Sequence, residues 1–374
     1  MSIYSSSNIQ TFFELLRAGL WEKDARLSQY KDIDFSAIMQ LAEEQSVVGL
    51  VAAGLEHVVD VKVPQTWALQ FAGQTIQLEQ RNKAMNHFVG SLVEKMRSIG
   101  IYALLIKGQG IAQCYERPMW RACGDVDFYL SDSNYEEAKT FLIPLAHHIE
   151  SENTDRLHLG MTIDSWIVEL HGSMHADLSR RINNGLDEVH KSIFNGGEVR
   201  SWNNDGTIVF LPSADNDIII VFTHILQHFF VEGIGLRQIC DWCRLLWTYR
   251  ESLNHSLLES RIWKMGLMTE WKAFTALAVD NLGIPKEVMP FYDDAKKWKN
   301  KGLRILSLIL ETGTFGHNRD LSYKERYSFL QRLITSFKRR NSDSWRQISI
   351  FPLDGLRMWW KMIALGVGVA VKGK

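Results

Sequence analysis

A Lys107-Gly108-Gln109 turn closes one short apolar run, residues 101–106, and Gly124-Asp125-Val126-Asp127 opens a second, residues 126–130. Both runs are too short for a packed helix and fit buried strands. Residues two apart on a strand point to the same face, about 6.6 Å apart along it. Asp125 and Asp127 therefore aim their oxygens at one region. Two unpaired carboxylates that close repel, and one pKa rises. A divalent cation removes that penalty, and hard oxygen donors suit Mg²⁺, or Mn²⁺ in its place. A glycine turn beside the pair reads as a seat for phosphate. The combination predicts metal-dependent chemistry on a nucleoside triphosphate. A third carboxylate completes such a site, and Trp166-Ile167-Val168-Glu169-Leu170-His171 carries one late in another apolar run. A strand there, beside the one bearing Asp127, lets Glu169 bind the ion that activates an attacking hydroxyl, or take that hydroxyl's proton. Arg121 and Lys107 are expected to neutralise phosphate charge, Arg as a bidentate fork and Lys as a point charge.

On either side the chain reads as helix. Residues 8–100 carry apolar stripes at helical spacing, through Phe12, Phe13, Leu15, Leu16 and Leu20, then through Ile38, Leu41, Val47, Val48, Leu50 and Val51. A long amphipathic segment, 67–99, follows, with Asn82, Lys83, Glu94 and Lys95 assigned to its wet side and Gly100 as its stop. Residues 108–115 fit a helix opening at the glycine turn. Ser131, Asp132 and Ser133 offer caps for a helix over 135–145, with Glu136 and Glu137 in its first turn. Residues 156–162 and 165–170 read as a hairpin turning at Ile163-Asp164, and 198–202 with 207–211 as weaker strands around Asn203-Asn204-Asp205-Gly206. From Pro212 helix returns: a segment capped by Ser213 and reaching Phe230, then 236–249, 257–282, 301–310 and a basic amphipathic 326–340. The expected fold class is α+β, with a small mixed β-sheet core at 101–211 flanked by an N-terminal helical region at 1–100 and a C-terminal one at 212–374.

Composition narrows the partners. A formal net charge of -1 over 374 residues supplies no global field for nucleic acid. The basic run Lys338-Arg339-Arg340, with Lys324, Arg326 and Arg332 upstream, reads as a solvated helix face before it reads as a surface for RNA or anionic lipid. The 13 Trp are assigned to cores. Cys240-Asp241-Trp242-Cys243 has the spacing of a metal knuckle, but it lies in a helical pattern far from Cys114 and Cys123. Buried free thiols in a reducing cytoplasm are the expectation. No signal peptide is visible, and no stretch is long enough to be a transmembrane segment. Residues 362–371 lack charge and are flanked by Arg357, Lys361, Lys372 and Lys374. They are expected to dock as a terminal helix, with peripheral contact to a membrane surface as the alternative. His224 and His228 share one helix face; with no Glu set between them, they are assigned to the acceptor pocket or to packing near the sheet rather than to zinc. Arg237 and Asp241, also four apart, form an intrahelical pair or send Asp241 to the cleft. His171 and His175 are candidates for the acceptor side.

The stretch 104–130 resembles the signature of the uncharacterised nucleotidyltransferase family within the DNA polymerase β-like superfamily. That family shows a strand, Lys-Gly, a helix ending near a Tyr, an Arg, then Gly-Asp-hydrophobic-Asp. The matching residues are Lys107-Gly108, Tyr115, Arg121 and Gly124-Asp125-Val126-Asp127. A hydrophobic-Glu-Leu-His element matches 167–171. His224, Leu236-Arg237 and Asp241 look similar to the family's helical part, and Gly313-Thr314-Phe315-Gly316 resembles a further element. The resemblance spans roughly residues 10–320. It implies a nucleotidyltransferase core that moves a nucleoside monophosphate from a triphosphate to a hydroxyl acceptor, with Mg²⁺ (or Mn²⁺) and release of pyrophosphate. Asp125, Asp127 and Glu169 would then be the metal ligands and catalytic groups, and Lys107, Gly108, Gln109, Arg121 and Gly124 would surround the triphosphate. A small molecule or saccharide is the expected acceptor, ahead of RNA or protein. Gln109 stands where the superfamily's turn has a small residue, and the gap from the glycine to the first aspartate is longer than usual. These departures keep two alternatives open: a catalytically silent nucleotide-binding or regulatory module, and a toxin-like RNA-modifying transferase served by the basic C-terminal helix.

Overall fold

The computed structural model describes residues 6–313 and 329–372. Four helices lead in: α1 (Ser6–Trp21), α2 (Phe35–Glu44), α3 (Val48–Glu56) and α4 (Gln65–Ser98). Asp34 caps α2, its carboxylate accepting from the Ser36 and Ala37 amides. Gly100 adopts φ 87° just past α4, as the stop at that position requires. α1 and α3 cross with their backbones almost touching. A Cβ on Gly54 would stand 1.9 Å from the Leu15 carbonyl oxygen, and one on Gly19 would stand 1.8 Å from that of Leu50.

The fold is α+β, a seven-stranded mixed sheet flanked by helices. Its strands are β1 (Leu104–Ile106), β2 (Asp125–Tyr129), β3 (His148–Ile149), β4 (His158–Ile163), β5 (Trp166–His171), β6 (Val199–Asn204) and β7 (Thr207–Pro212), in the spatial order β3-β4-β5-β2-β1-β7-β6. β2 runs parallel to β5, and β1 runs antiparallel to β2 and parallel to β7. Three helices interrupt the strands: α5 (Gly108–Ala112), α6 (Asp132–Leu142) and α7 (Arg180–Phe194). Along β2 and β5, the face of the sheet toward α4 and α6 is apolar. Val126, Phe128, Val168 and Leu170 pack there against Met85, Val89 and Leu92 of α4 and Tyr135, Ala138 and Leu142 of α6. The other face meets a helical body made of α8 (Ala214–Val231), α9 (Leu236–Tyr249), α10 (His255–Met265), α11 (Met268–Leu277), α12 (Lys296–Thr312), α13 (Phe329–Ile350) and α14 (Pro352–Lys372). Phe222, Trp242, Trp271 and Phe274 interlock at its centre with ring centroids 4.7–5.9 Å apart.

Several expectations change. The segment 257–282 is not one helix. Gly266, at φ 72°, closes α10, and a π-helical turn, Ala278–Leu282, ends α11. Helix α7 was not anticipated, although Ser179 caps it and Ile182, Leu186, Val189 and Ile193 repeat along one face. Helix α6 begins at Asp132, so Glu136 and Glu137 lie beyond its first turn, and neither Ser131 nor Ser213 makes a capping bond through its side chain. Asn82 is not on a wet face: it is fully buried and donates to the carbonyls of Met119 and Arg121. The four cysteines are free and buried. The first turns of the terminal helix are docked, with Met358 in the core and the Trp359 indole bonded to Asn341, whereas most side chains of the uncharged stretch 362–371 lie outside the described residues. No helix among the described residues is long and apolar enough to cross a membrane. Thr314, Phe315, Gly316, Lys324 and Arg326 lie outside the described residues, as do the side chains of Arg332 and of the tail from 365.

The helix crossing at Gly54 gives a direct test. Gly54→Ala should destabilise the fold by about 3 kcal/mol, because the new methyl meets backbone. Gly73→Ala, at a helical position with open space around it, should stabilise by about 0.5–1 kcal/mol. Urea unfolding of the two variants measures the contrast.

Candidate active site

Strand alternation separates apolar from polar chemistry. In β2 and β5 the side chains facing α4 and α6 are Val126, Phe128, Val168 and Leu170, so Asp125, Asp127, Glu169 and His171 all project from the opposite face. The pairing is in register: Asp125 opposite Ile167, Asp127 opposite Glu169, Tyr129 opposite His171. Antiparallel β4 then sets His158 opposite His171 and Gly160 opposite Glu169. Helices α8 and α9 roof this polar face through Val221, His224, His228, Arg237 and Asp241, enclosing a cleft of about 400 Å³.

Asp127 lies at the base of the cleft and is 2% exposed. Its Oδ1 accepts from Lys107 Nζ at 3.0 Å and meets His171 Nε2 at 2.9 Å. Glu169 Oε2 is 3.2 Å from His158 Nε2 and 3.5 Å from His171 Nε2. Burial alone would push the Glu169 carboxyl up, but the bonds to His158 and His171 and the charge of Lys107 outweigh it and hold the group well below the usual carboxylate range. For His171 burial works against the charged ring, yet the bonds to Asp127 and Glu169 prevail and raise its pKa. Lys107 is likewise raised, because Asp127, Glu169 and Asp125 outweigh its burial. Asp125 is different. No hydrogen bond or ion pair among the described residues reaches its carboxylate, and the charge of Asp127, then burial, raises its pKa. Asp125, Asp127 and Glu169 share one face of the strand pair and line one cleft, and their oxygen donors suit a hard divalent cation.

The remaining expected site residues divide. Gly108, at φ 39°, lines the cleft, and a Cβ there would meet Cys123 Sγ at 3.1 Å. Gly124 precedes β2 with open space around it. Gln109 turns its side chain away from the cleft, donating to Asn82 Oδ1 at 2.8 Å with 2% exposure. It therefore does not crowd the turn. Arg121 borders the cleft, but its guanidinium is spent on a bidentate pair with Asp241, at 3.0 and 2.6 Å, to which Tyr115 also donates at 2.7 Å. Of the two readings left open for Asp241, the intrahelical pair with Arg237 gives way to this clasp, and Asp241 lines the cleft. Arg237 instead donates to the Ala122 carbonyl, while its buried Nε has no partner among the described residues. The rings of His224 and His228 meet edge to face at 4.2 Å, and burial, then the charge of Lys107, keeps His224 well below the ordinary imidazole value. His175 lines the cleft and pairs with Asp187 at 2.7 Å.

Sequence reasoning missed His158 for a definable reason. A turn at Ile163-Asp164 pairs His171 with Arg156. The actual turn, Asp164-Ser165, lies one residue later, which moves the partner of His171 by two and sets His158 there. Asp164 carries φ 53°, the left-handed conformation that a tight hairpin demands.

The model of one protein family, described as an uncharacterised nucleotidyltransferase, matches residues 31–283. That span includes every residue of the cleft named above. No curated protein and no solved structure matches the chain.

The position of Gln109 yields a checkable separation of roles. Gln109→Ala strands the buried Asn82 oxygen and should cost about 1–3 kcal/mol in urea unfolding. Calorimetric titration of divalent ions into the cleft should be unchanged.

Proposed function

The chain belongs to the uncharacterised nucleotidyltransferase family, and on that premise we propose that it moves a nucleoside monophosphate from a nucleoside triphosphate to a hydroxyl acceptor. In this reaction the acceptor oxygen bonds to the α-phosphorus, and the bond from that phosphorus to the bridging oxygen breaks. Pyrophosphate leaves with the electron pair. The observation that carries the reading is the in-register pairing of β2 with β5, which sets Asp127 beside Glu169 on one face with the unpaired Asp125 one step along. Mg²⁺ or Mn²⁺, held by Asp125, Asp127 and Glu169, would supply charge neutralisation and an activated hydroxyl.

The chain's own groups do the rest. Lys107 and Arg237 are the cations suited to the triphosphate: Lys107 points into the carboxylate cluster, and Arg237 keeps an unpartnered buried Nε. Arg121, already committed to Asp241, is a positioning residue. Glu169, held ionised, serves as a negatively charged ligand better than as a base. The neutral ring of His224 on the opposite wall can hydrogen-bond an acceptor hydroxyl, whose proton passes to water. A cleft of about 400 Å³ suits a nucleotide with a small acceptor or a sugar. The basic run at Lys338 does not line it; Arg340 opens instead onto a groove beside Phe230 and Met358. With Gln109 turned away, the feature that favoured a silent module loses its force. Four buried free thiols suit the cytoplasm.

Asp125→Asn removes a ligand and also a like-charge repulsion, so it should leave the melting temperature unchanged or raised. It should abolish calorimetric binding of Mg·ATP and cut pyrophosphate release by about 10²-fold or more with whichever triphosphate the wild type uses. Wild-type affinity in the variant would end the metal-dependent reading.

A further inference from the structure

We propose that the cleft contains a second, softer metal position, built by His158, Glu169 and His171, that takes a transition ion of the Zn²⁺ class in preference to Mg²⁺. It shares Glu169 with the transfer reading but does not depend on that reaction.

Three observations carry it. First, the ligand atoms converge. One nitrogen of each imidazole and one Glu169 oxygen lie within 4.8 Å of one another. Donors bound about 2.0–2.2 Å from one tetrahedral ion are about 3.4 Å apart. The separations from Glu169 Oε2 to the two Nε2 atoms are 3.2 and 3.5 Å, which bracket that figure. Second, the backbone enforces the convergence. His158 and His171 are a direct cross-strand pair, and Glu169 is two residues from His171 on the same face. Their ring centroids are 4.8 Å apart. Donors fixed by a ladder need little backbone reorganisation to close on an ion, although an ion on His171 Nε2 would displace its contact with Asp127 Oδ1. Third, the donor chemistry differs from that of the aspartate pair. Asp125 and Asp127 offer oxygen alone, which suits Mg²⁺. Two imidazoles with one carboxylate suit Zn²⁺, Fe²⁺ or Co²⁺. Three protein donors leave a further position toward the cleft, the pattern of catalytic rather than structural zinc.

The cleft thus sorts two kinds of ion along one strand pair: a hard one at Asp125 and Asp127, and a borderline one at His158, Glu169 and His171.

The test uses Co²⁺ as the probe. The full chain, stripped with chelator, is titrated with Co²⁺ and followed by visible absorption, then challenged with Zn²⁺ or with excess Mg²⁺. With Mg²⁺ present to fill the aspartate position, one Co²⁺ should bind, Zn²⁺ should displace it, and further Mg²⁺ should not. His158→Gln and His171→Gln should each weaken Co²⁺ by more than the roughly 10–100-fold that an outer partner is worth, with circular dichroism melts confirming that each variant is folded. His158 is about a third exposed, so its variant is the one expected to fold without penalty. Asp125→Asn should keep Co²⁺ binding. Wild-type Co²⁺ affinity in His158→Gln, ready displacement by Mg²⁺, or loss of binding in Asp125→Asn would each overturn the site. Intact Co²⁺ binding without pyrophosphate release from any triphosphate would remove the transfer reading and leave this one standing.

Discussion

Parallel pairing of β2 with β5 decides what the cleft can do. A slip of one residue would carry Glu169 and His171 to the face that holds Val168 and Leu170. That face fixes the register. Val126, Phe128, Val168 and Leu170 are each buried almost completely against α4 and α6. Burying such side chains is worth about 1.5–3 kcal/mol apiece. Like charges about 4 Å apart near a protein surface cost about 4 kcal/mol. The apolar face therefore outweighs the repulsion it creates on the other side. The acidic cluster is a strained feature held in place by a core that gains nothing from it directly.

A second constraint keeps the turn against the roof. Asp241 on α9 receives both the Arg121 guanidinium and the Tyr115 hydroxyl in a buried setting. Arg244, one turn further along α9, donates to the carbonyls of Cys114 and Leu20. The segment between α5 and β2 is thereby pinned at both ends to one helix. Buried ion pairs add little net stability, since desolvation cancels most of the attraction. Their effect here is on position: they hold the β2 entry and the Lys107 turn at a fixed distance from α9. Arg121 acts through Asp241, while Arg237, four residues before Asp241, is left with donor capacity toward the cleft.

Much of this was legible in the sequence where local chemistry dominates. The Lys-Gly turn, the Asp-Val-Asp strand, the Glu169 strand and the helix over 236–249 follow from period and glycine placement, and the structure has each of them. The failures are of two kinds. Asn82 and Gln109 are polar residues whose partners lie far away in sequence, and polarity alone assigned them to water or to ligand. They bond each other in the interior instead. Arg121 and Asp241 are likewise separated by 120 residues, so the spacing that suggested an intrahelical Arg237–Asp241 pair carried no information about the competing partner. The second kind is a one-residue error in a hairpin turn, enough to exchange Arg156 for His158 opposite His171. Helix α7 is a plain omission, since its cap and apolar repeat were both in view.

Lys107 links backbone strain to the charge of the cleft. It sits at φ 55° and ψ -146°, a conformation that non-glycine residues seldom adopt and that costs on the order of 1–3 kcal/mol. Glycine would relieve the backbone but would remove the ammonium that bonds Asp127. The strain persists because the side chain is needed there, while Gly108 takes the next left-handed position, where Cys123 Sγ and the Asp125 carbonyl leave little room for a Cβ. Even so, the balance does not close. Lys107 and His171 both lean on Asp127, His158 and His171 lean on Glu169, and Asp125 is left with a raised pKa and no hydrogen-bond partner among the described residues. The fold thus accepts conformational strain for one cation while Asp125 has only the more distant charges of Lys107 and Arg237 to offset Asp127.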